Sequence, residues 1–276
     1  MAIIEGLGIE EYHQSARLSA SKLKTFAARG PRYFHQRYVS RTIPGERSDA
    51  FAFGQAFEDM LQRPRAWQAG YAVKPEGLDG RTKEGKAWFA ENRDRPVLSA
   101  FDVRVLTEMA EAVLEHELAG RLIAGAAQQL TVTADLLGTP GLQSRPDWLG
   151  REPIADTGFR PYVLDLKTCE SLDKLRSGRG VIEYGYDVQG ALARLCLEAN
   201  GVADAAVYLL AVEKQTPHRV QVLELSRSFL DRGERIALET CERISRCMAR
   251  DEWPRCESAV EVLEPPAWAT EMGDVA

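Results

Sequence analysis

The sequence contains few cysteines, and none of them stands in a close pair. Of the 276 residues only five are cysteines, and no Cys-x-x-Cys pair occurs. An odd, widely spaced set of this kind predicts neither a disulfide framework nor zinc or iron–sulfur ligation. We interpret the cysteines as small apolar side chains of the interior. They are Cys169, Cys196, Cys241, Cys247 and Cys256.

Long apolar runs are also missing. The longest, residues 205–212, has eight residues, whereas a membrane-spanning helix needs about 20. The first residues, MAIIEGLGIEEYH, lack the basic segment followed by an apolar segment that a secretion signal has. We therefore expect a cytoplasmic protein with no membrane contact.

Several common catalytic motifs are absent as well. The chain has four scattered histidines and contains neither His-Glu-x-x-His nor Gly-x-Ser-x-Gly, which excludes the usual zinc peptidases and serine hydrolases. Gly80-x4-Gly85-Lys86 imitates a phosphate-binding loop. However, Ala87 occupies the position of the Ser or Thr that would bind Mg²⁺, so we exclude nucleotide hydrolysis.

The composition is that of a globular protein with a slight excess of acid. Hydrophobic residues make up 45% and charged residues 28% of the chain. With 35 basic and 41 acidic side chains the formal net charge is −6. Any role with nucleic acid must therefore come from a local basic surface or from a bound metal ion.

Hydrophobic periodicity divides the chain into a helical half, residues 1–126, and a mixed half, residues 127–276. The mixed half follows the order β-β-β-α-β-β-α, which predicts an α/β (mixed α+β) fold with a central sheet flanked by helices. Helices are predicted over residues 19–39 (broken at Gly30-Pro31), 49–62, 83–93, 101–124, 182–200 and 227–249. Strands are predicted over residues 129–137, 141–149, 161–168, 204–213 and 218–225, with a turn at Gly138-Thr139-Pro140.

Two carboxylates and a lysine form the most informative pattern. Asp147 follows Pro146, and seventeen residues later the chain continues with Asp165-Leu166-Lys167. Because side chains alternate along a strand, Lys167 is predicted on the same sheet face as Asp165. Two convergent carboxylates suit a hard cation such as Mg²⁺, and a neighbouring lysine can stabilise charge on phosphorus. Two carboxylates for a metal ion and a lysine beside them are the groups that phosphodiester hydrolysis requires.

Simpler interpretations of the same residues stay open at this point. Asp147 could be a turn residue, and Asp165 with Lys167 could be a surface ion pair worth less than about 1 kcal/mol. Against this, Asp165 lies in the apolar stretch 162–166, where a charge is costly without a partner or metal ion.

The flanking blocks extend the pattern to a family. Asp147…Asp165-x-Lys167 resembles the signature of the PD-(D/E)XK nucleases. This resemblance implies a restriction-endonuclease-like core. The sequence around these residues resembles that of RecE-type phage exonucleases and, more distantly, that of lambda-type exonucleases. The similar blocks are Ser19-x-Ser21, Pro31-x-Tyr33, residues 54–58 (GQAFE), 79–86 (DGRTKEGK), 144–149 (SRPDWL), 163–168 (VLDLKT), 186–189 (YDVQ), 212–214 (VEK) and Pro266-Ala267-Trp268.

The resemblance implies a set of site residues. Asp147, Asp165 and the main-chain carbonyl of Leu166 would hold Mg²⁺, with Mn²⁺ as a substitute, and Lys167 would activate the attacking water. Gln189 would orient that water or contact phosphate, with Tyr186 one helical turn earlier. The alternative for Tyr186 and Gln189 is simple packing of a helix on the sheet.

The resemblance also implies an upstream metal ligand and a DNA surface. Glu58 would be that ligand, although many RecE-type sequences carry histidine there, which puts the metal preference in doubt; it could also be an exposed carboxylate. The DNA-binding residues would be Arg81, Lys83, Lys86, Arg145, Tyr186 and Gln189. The stretch around residues 81–95 could equally be a solvated amphipathic helix.

The resemblance therefore implies a single nuclease domain, residues 1–276, that acts as a Mg²⁺-dependent DNA exonuclease of phage type in a bacterial host cell. It would degrade double-stranded DNA from 5′ ends and leave 3′ tails for a single-strand annealing recombinase. By analogy it would form a homo-oligomeric ring. Two alternatives remain: a same-fold nuclease of other polarity or substrate (CRISPR-associated or RecB-like), and a non-catalytic module that binds DNA ends.

Overall fold

Helices and strands alternate through the described part of the chain. The computed structural model describes residues 1–45, 49–135, 140–154, 158–255 and 262. The α-helices are α1 (Ile9–Gln14), α2 (Ala20–Phe34), α3 (Asp49–Gln62), α4 (Pro64–Gly70), α5 (Lys83–Glu91), α6 (Ala100–Glu115), α7 (Glu117–Ala124), α8 (Leu172–Arg176), α9 (Arg179–Glu183), α10 (Tyr186–Ala199) and α11 (Arg227–Arg250). A π-helical turn, His35–Val39, extends α2.

The strands form three sheets. They are β1 (Ala2–Ile4), β2 (Ala72–Lys74), β3 (Val97–Ser99), β4 (Ala126–Gln128), β5 (Thr131–Ala134), β6 (Leu142–Ser144), β7 (Trp148–Ile154), β8 (Gly158–Cys169), β9 (Ala206–Glu213) and β10 (Val220–Glu224). The main sheet has the order β10-β9-β8-β7-β4, and β1-β5-β6 and β2-β3 make two smaller sheets.

The central strand of the main sheet is β8. It pairs antiparallel with β7 and parallel with β9, so that Trp148 lies opposite Leu164 and Asp165 lies opposite Leu209. A parallel pair needs a crossover between its strands. Here α8, α9 and α10 supply that crossover, and they bring the start of α10 close to the carboxyl end of β8.

Alternation along β8 separates two hydrophobic layers. Tyr162 and Leu164 belong to a core cluster formed with α3, α6 and α7, whereas Val163 belongs to a cluster formed with α2, α10 and α11. The main sheet is therefore covered by helices on both faces. Asp165 and Lys167 follow Val163 at intervals of two, so they lie on the face that α10 covers.

The break predicted in the first long helix is present within α2. Gly30 adopts φ 77° and ψ 174°, a conformation that L side chains rarely take, and Pro31 starts the next helical turn. The chain can thereby change direction within α2. As a result, Phe26 and Phe34 meet edge-on, with ring centroids 5.5 Å apart.

Three predicted elements are divided in the structure. The helix predicted over 182–200 divides at Gly185, whose φ of 62° ends the helical path, so that α9 ends at Glu183 and α10 begins at Tyr186. The strand predicted over 141–149 is wrong as one unit, because Pro146 cannot donate to a ladder. The chain leaves the small sheet after β6 and enters the main sheet at β7. The helix predicted over 101–124 divides at His116, whose backbone is extended (φ −75°, ψ 104°) and whose ring accepts a hydrogen bond from the Ala119 N–H, capping α7.

Other predicted features are found or fall outside the described residues. Cys169, Cys196, Cys241 and Cys247 are free thiols, and two of them are buried. Cys256, the block Pro266-Ala267-Trp268 and residues 138–139 of the predicted turn lie outside the described residues. Among the helices the structure describes, none has the length and apolar character needed to cross a membrane.

Substitution of Leu210 tests the packing of the main sheet. Leu210 is fully buried on β9, so Leu210→Ala is expected to lower the free energy of unfolding by about 2–5 kcal/mol. Leu114 on α6 is 64% exposed, so Leu114→Ala is the matched control and should change it by less than about 0.5 kcal/mol. Denaturant unfolding followed by circular dichroism measures both, and equal effects of the two substitutions would contradict the packing described here.

Candidate active site

The two aspartates meet at the junction of β7 and β8. Asp147 directly precedes β7 in the segment that Pro146 removes from the ladder. Its Oδ2 accepts a hydrogen bond from the Leu166 N–H at 2.7 Å, which fixes the carboxylate beside the middle of β8. Asp165 and Leu166 are consecutive on that strand. The structure thus brings together three of the four predicted metal-site residues.

Asp165 is the most exceptional of these side chains, because it is only 2% exposed and its Oδ1 has no hydrogen-bond partner. A buried oxygen of a carboxylate without a partner costs free energy, and such a group in a native structure usually has a functional reason. A cation bound at this oxygen would remove the cost.

Lys167 is the cationic counterpart of the carboxylates. Burial by itself lowers the pKa of Lys167, but the neighbouring Asp165 and Asp147 outweigh burial and raise this pKa above its usual value. Its Nζ lies 5.0 Å from the centroid of the Tyr186 ring, in a cation–π contact. The lysine is therefore held charged beside the two aspartates.

Glu58 completes a group of three carboxylates. It projects from α3 and lies beside Asp147, close enough for each carboxyl group to alter the pKa of the other. Burial is the main cause that raises the pKa of both groups, and the negative charge of neighbouring carboxylates adds to it. Glu58 is thus half-buried rather than exposed to open solvent, and its role as a metal ligand stays a prediction.

The adjacent carboxylate, Asp59, is bound by other residues than those of the aspartate pair. It accepts hydrogen bonds from Arg63 and from the Tyr71 hydroxyl, the latter at 2.8 Å. Only one of the two consecutive acids therefore faces the aspartates.

The donors present fit a hard divalent cation. Among the described residues, no three His, Cys, Asp or Glu side chains are arranged so as to hold a metal ion by themselves. Mg²⁺ does not require such a cage, because it is commonly bound by one or two carboxylates together with water and substrate phosphate. The unpartnered Oδ1 of Asp165, with Asp147 beside it, supplies that minimum set of oxygen donors.

Tyr186 and Gln189 lie at the start of α10. Tyr186 contacts Lys167 as described, and Gln189 follows one turn later, half-buried. Between them, Asp187 is fully buried and forms an ion pair with Arg232 of α11. The roles of Gln189 and of the Leu166 carbonyl stay predictions.

Arg145 is held by protein acceptors. Its Nε donates to Gln129 Oε1 at 2.7 Å and its Nη1 donates to the Leu7 carbonyl at 2.8 Å. Its predicted contact with DNA stays a prediction, because these two bonds direct part of the guanidinium inward.

Sequence reasoning missed Lys24, which lies next to the site. Its Nζ is 5.9 Å from the Tyr186 ring centroid, so Lys24 and Lys167 contact the same ring. Burial, followed by the charge of Lys167, lowers the pKa of Lys24 to about 8. It also borders a cavity of about 460 Å³ with Tyr184, Asp187 and Arg232. No motif marked it, because it comes from a helix far away in the sequence.

The residues predicted to contact DNA lie in the chain segment between β2 and β3. Arg81, Lys83 and Lys86 are exposed at the start of α5, between β2 and β3. Arg81 pairs with Asp79 at 3.0 Å. The β2–β3 pair packs on α6, and the described contacts do not join this block to the carboxylates.

A PD-(D/E)XK-type centre is the class of site that this arrangement defines: two aspartates and a lysine at the junction of two antiparallel strands in a mixed sheet. Comparison with family models agrees. Residues 19–264 match the PDDEXK-like domain of unknown function (DUF3799), and the chain belongs to this family. Nucleases of the PDDEXK type generally depend on divalent metal ions.

The fold is similar to that of a solved structure. A crystal structure of a protein from Eubacterium rectale, described as a "putative exonuclease", matches with a TM-score of 0.65. The match covers 100% of each chain at 14% sequence identity. The likeness confirms the predicted mixed α/β, restriction-endonuclease-like fold. No curated protein matches the chain.

The carboxylate cluster predicts how stability depends on pH. The folded protein binds protons at Asp147 and Glu58 more tightly than the unfolded chain does. Without metal, the free energy of unfolding should therefore fall as the pH rises from about 4 through the raised pKa values of this pair. Asp147→Asn should remove part of this loss. Near neutral pH it should raise the melting temperature of the metal-free protein by about 2–4 °C for each 1 kcal/mol of relieved repulsion.

Thermal melting between pH 4 and pH 8 measures this effect, with Glu111→Gln on the exposed face of α6 as the control. Addition of Mg²⁺ or Mn²⁺ should raise the melting temperature of the unsubstituted protein more than that of Asp147→Asn. A flat pH profile with no difference between the variants would contradict the proximity of these carboxylates.

Proposed function

We propose that this chain is a Mg²⁺-dependent DNA exonuclease in which Mn²⁺ can substitute. The observation that carries the proposal is the buried Asp165, whose Oδ1 has no protein partner while Asp147 and Lys167 stand beside it. Family membership supports a nuclease.

Each site residue has a defined task in the proposed reaction. Asp165 and Asp147 bind the cation, with Glu58 and the carbonyl of Leu166 as further donors. A bound divalent cation supplies Lewis acidity and lowers the pKa of a bound water. The charged Lys167 stabilises negative charge that develops on the phosphate, and the Tyr186 ring keeps its ammonium in place.

The substrate we propose is linear double-stranded DNA, degraded from 5′ ends so that 3′ single-stranded tails remain. The exposed cations Arg81, Lys83 and Lys86 support contact with a phosphate backbone, even though the whole chain is acidic. Gln189 and Arg145 are further candidate contacts. Lys24, which contacts the Tyr186 ring, is a further candidate contact for phosphate.

The wider setting is proposed from the resemblance to RecE-type exonucleases. The chain would act as a single nuclease domain, residues 1–276, in the cytoplasm of a bacterium that carries phage genes. A single-strand annealing recombinase would receive the 3′ tails. A homo-oligomeric ring would gather the basic groups around DNA.

A degradation assay tests the proposal. Linear duplex DNA labelled at either the 5′ or the 3′ end is incubated with the protein, with and without Mg²⁺. We expect early release of the 5′ label, retention of the 3′ label in long fragments, and no reaction without metal. Asp165→Asn and Lys167→Met should each lower the rate by about 100-fold or more, because each removes charge at the reacting phosphate.

Glu111→Gln is the matched control and should keep the unsubstituted rate. Early release of the 3′ label would indicate a same-fold nuclease of opposite polarity. Intact DNA in every reaction, together with no calorimetric signal for Mg²⁺ or Mn²⁺, would refute the enzyme and leave a non-catalytic DNA-end-binding module.

A further inference from the structure

Glu58 is held by an amide from another part of the chain. Gln129, which directly follows β4, donates from Nε2 to Glu58 Oε1 and also to Gln62 Oε1, the latter at 2.9 Å. Its Oε1 accepts from Arg145 Nε at 2.7 Å. The side chain of Gln129 therefore uses both of its N–H groups and its carbonyl within this network.

The orientation of the Gln129 amide follows from the chemistry of its neighbours. The Arg145 guanidinium can only donate, so it must face the amide oxygen. The amide nitrogen must then face Glu58 and Gln62. Arg145 is itself anchored, because its Nη1 donates to the Leu7 carbonyl at 2.8 Å. A fixed guanidinium thus sets the direction of the Gln129 amide. This amide holds Oε1 of Glu58, while Gln55 Nε2 donates to Oε2 at 3.4 Å.

The backbone of the same segment binds the main-chain carbonyl of Asp147, the residue that carries the other carboxylate of the pair. Gln129 adopts φ 56°, an uncommon conformation for a residue with a side chain, and its N–H donates to the Asp147 carbonyl at 3.2 Å. Gln62 Nε2 donates to the same carbonyl at 3.2 Å. Gln129 and Gln62 together therefore connect the side chain of Glu58 with the main chain of Asp147.

Glu58 needs such a support. It is a long side chain, and it faces carboxylates of its own sign, so repulsion favours rotamers that turn it away from Asp147. Hydrogen bonds to the ligand from a surrounding layer of residues are the usual means by which a metal site keeps its donors in place.

We propose that Gln129 is a positioning residue of the metal site. Its amide is oriented by Arg145, and by its hydrogen bond to Glu58 it keeps that carboxylate directed at the cation. This inference rests on the proposed function, since it assigns Gln129 a role toward the divalent cation. It also gives Arg145 a second role beside the predicted DNA contact, namely to orient the amide.

Calorimetric titration of the full chain with Mn²⁺, without DNA, tests the inference. Gln129→Met keeps the length of the side chain and removes its amide, and it should raise the Kd for Mn²⁺ by roughly 10–100-fold. Gln129→Asn, whose amide is one methylene too short to reach Glu58, should act in the same direction. Gln128→Met is the matched control, because Gln128 is the exposed neighbour in β4, and its Kd should stay within about 2-fold of the unsubstituted value.

A kinetic measurement separates positioning from a general loss of structure. In the nuclease assay, Gln129→Met should raise the half-saturating concentration of Mn²⁺, while kcat at saturating Mn²⁺ falls much less. Thermal melting of each metal-free variant monitors folding. An unchanged Kd in both folded Gln129 variants, or a loss of kcat with no change in metal dependence, would overturn the inference.

The outcome for the unsubstituted protein keeps the two proposals apart. If the unsubstituted chain binds no Mn²⁺, the proposed function itself fails. If it binds Mn²⁺ and degrades DNA, and the Gln129 variants bind Mn²⁺ equally well, only the positioning role fails.

Discussion

Burial of charge on the central strand is the constraint on which the rest of the site depends. Asp165 and Lys167 occupy one face of β8 below helix α10, where charged side chains are costly unless they compensate each other. Their opposite charges reduce the cost, yet Oδ1 of Asp165 remains without a partner. The structure keeps a locally unfavourable group at the centre of its main sheet, and proteins generally retain such groups for function rather than for stability.

Three separate parts of the chain supply the carboxylates, and each is fixed in its own way. Asp165 belongs to the ladder of β8, Asp147 is bonded to the main chain of that strand, and Glu58 extends from α3. A layer of amides behind them joins α3 to the end of β4. Hydrogen bonds from rigid elements thus hold Asp147 and Glu58, whereas the position of Asp165 is set by its strand.

Positive charge is distributed in two zones around this centre. Lys167 and Lys24 both contact the Tyr186 ring, and the charge of Lys167 lowers the pKa of Lys24. The exposed cations near α5 form a second zone, in the chain segment between β2 and β3. An acidic protein can thus present locally basic surfaces to a polyanion, because only the charges near the contact act strongly at physiological ionic strength.

The sequence by itself determined the local elements and the central pattern. Helix α3 and strand β8 lie close to their predicted positions, because both have a clear period of apolar residues, and the two-residue period placed Asp165 and Lys167 on one face. The pattern of Asp147, Asp165 and Lys167 also predicted a PD-(D/E)XK-like domain, which the family match confirms.

Only the tertiary structure decided how the pieces meet. Pro146 divided a predicted strand between two sheets, which released Asp147 from the ladder and turned its carboxylate to β8. Gln129, Gln62 and Lys24 also lie at the site, although none of them belongs to a block that the family resemblance marked. Local patterns report which face of an element is apolar, whereas the partners of a polar side chain depend on contacts between residues far apart in the chain, and a single sequence holds no local signal for those contacts.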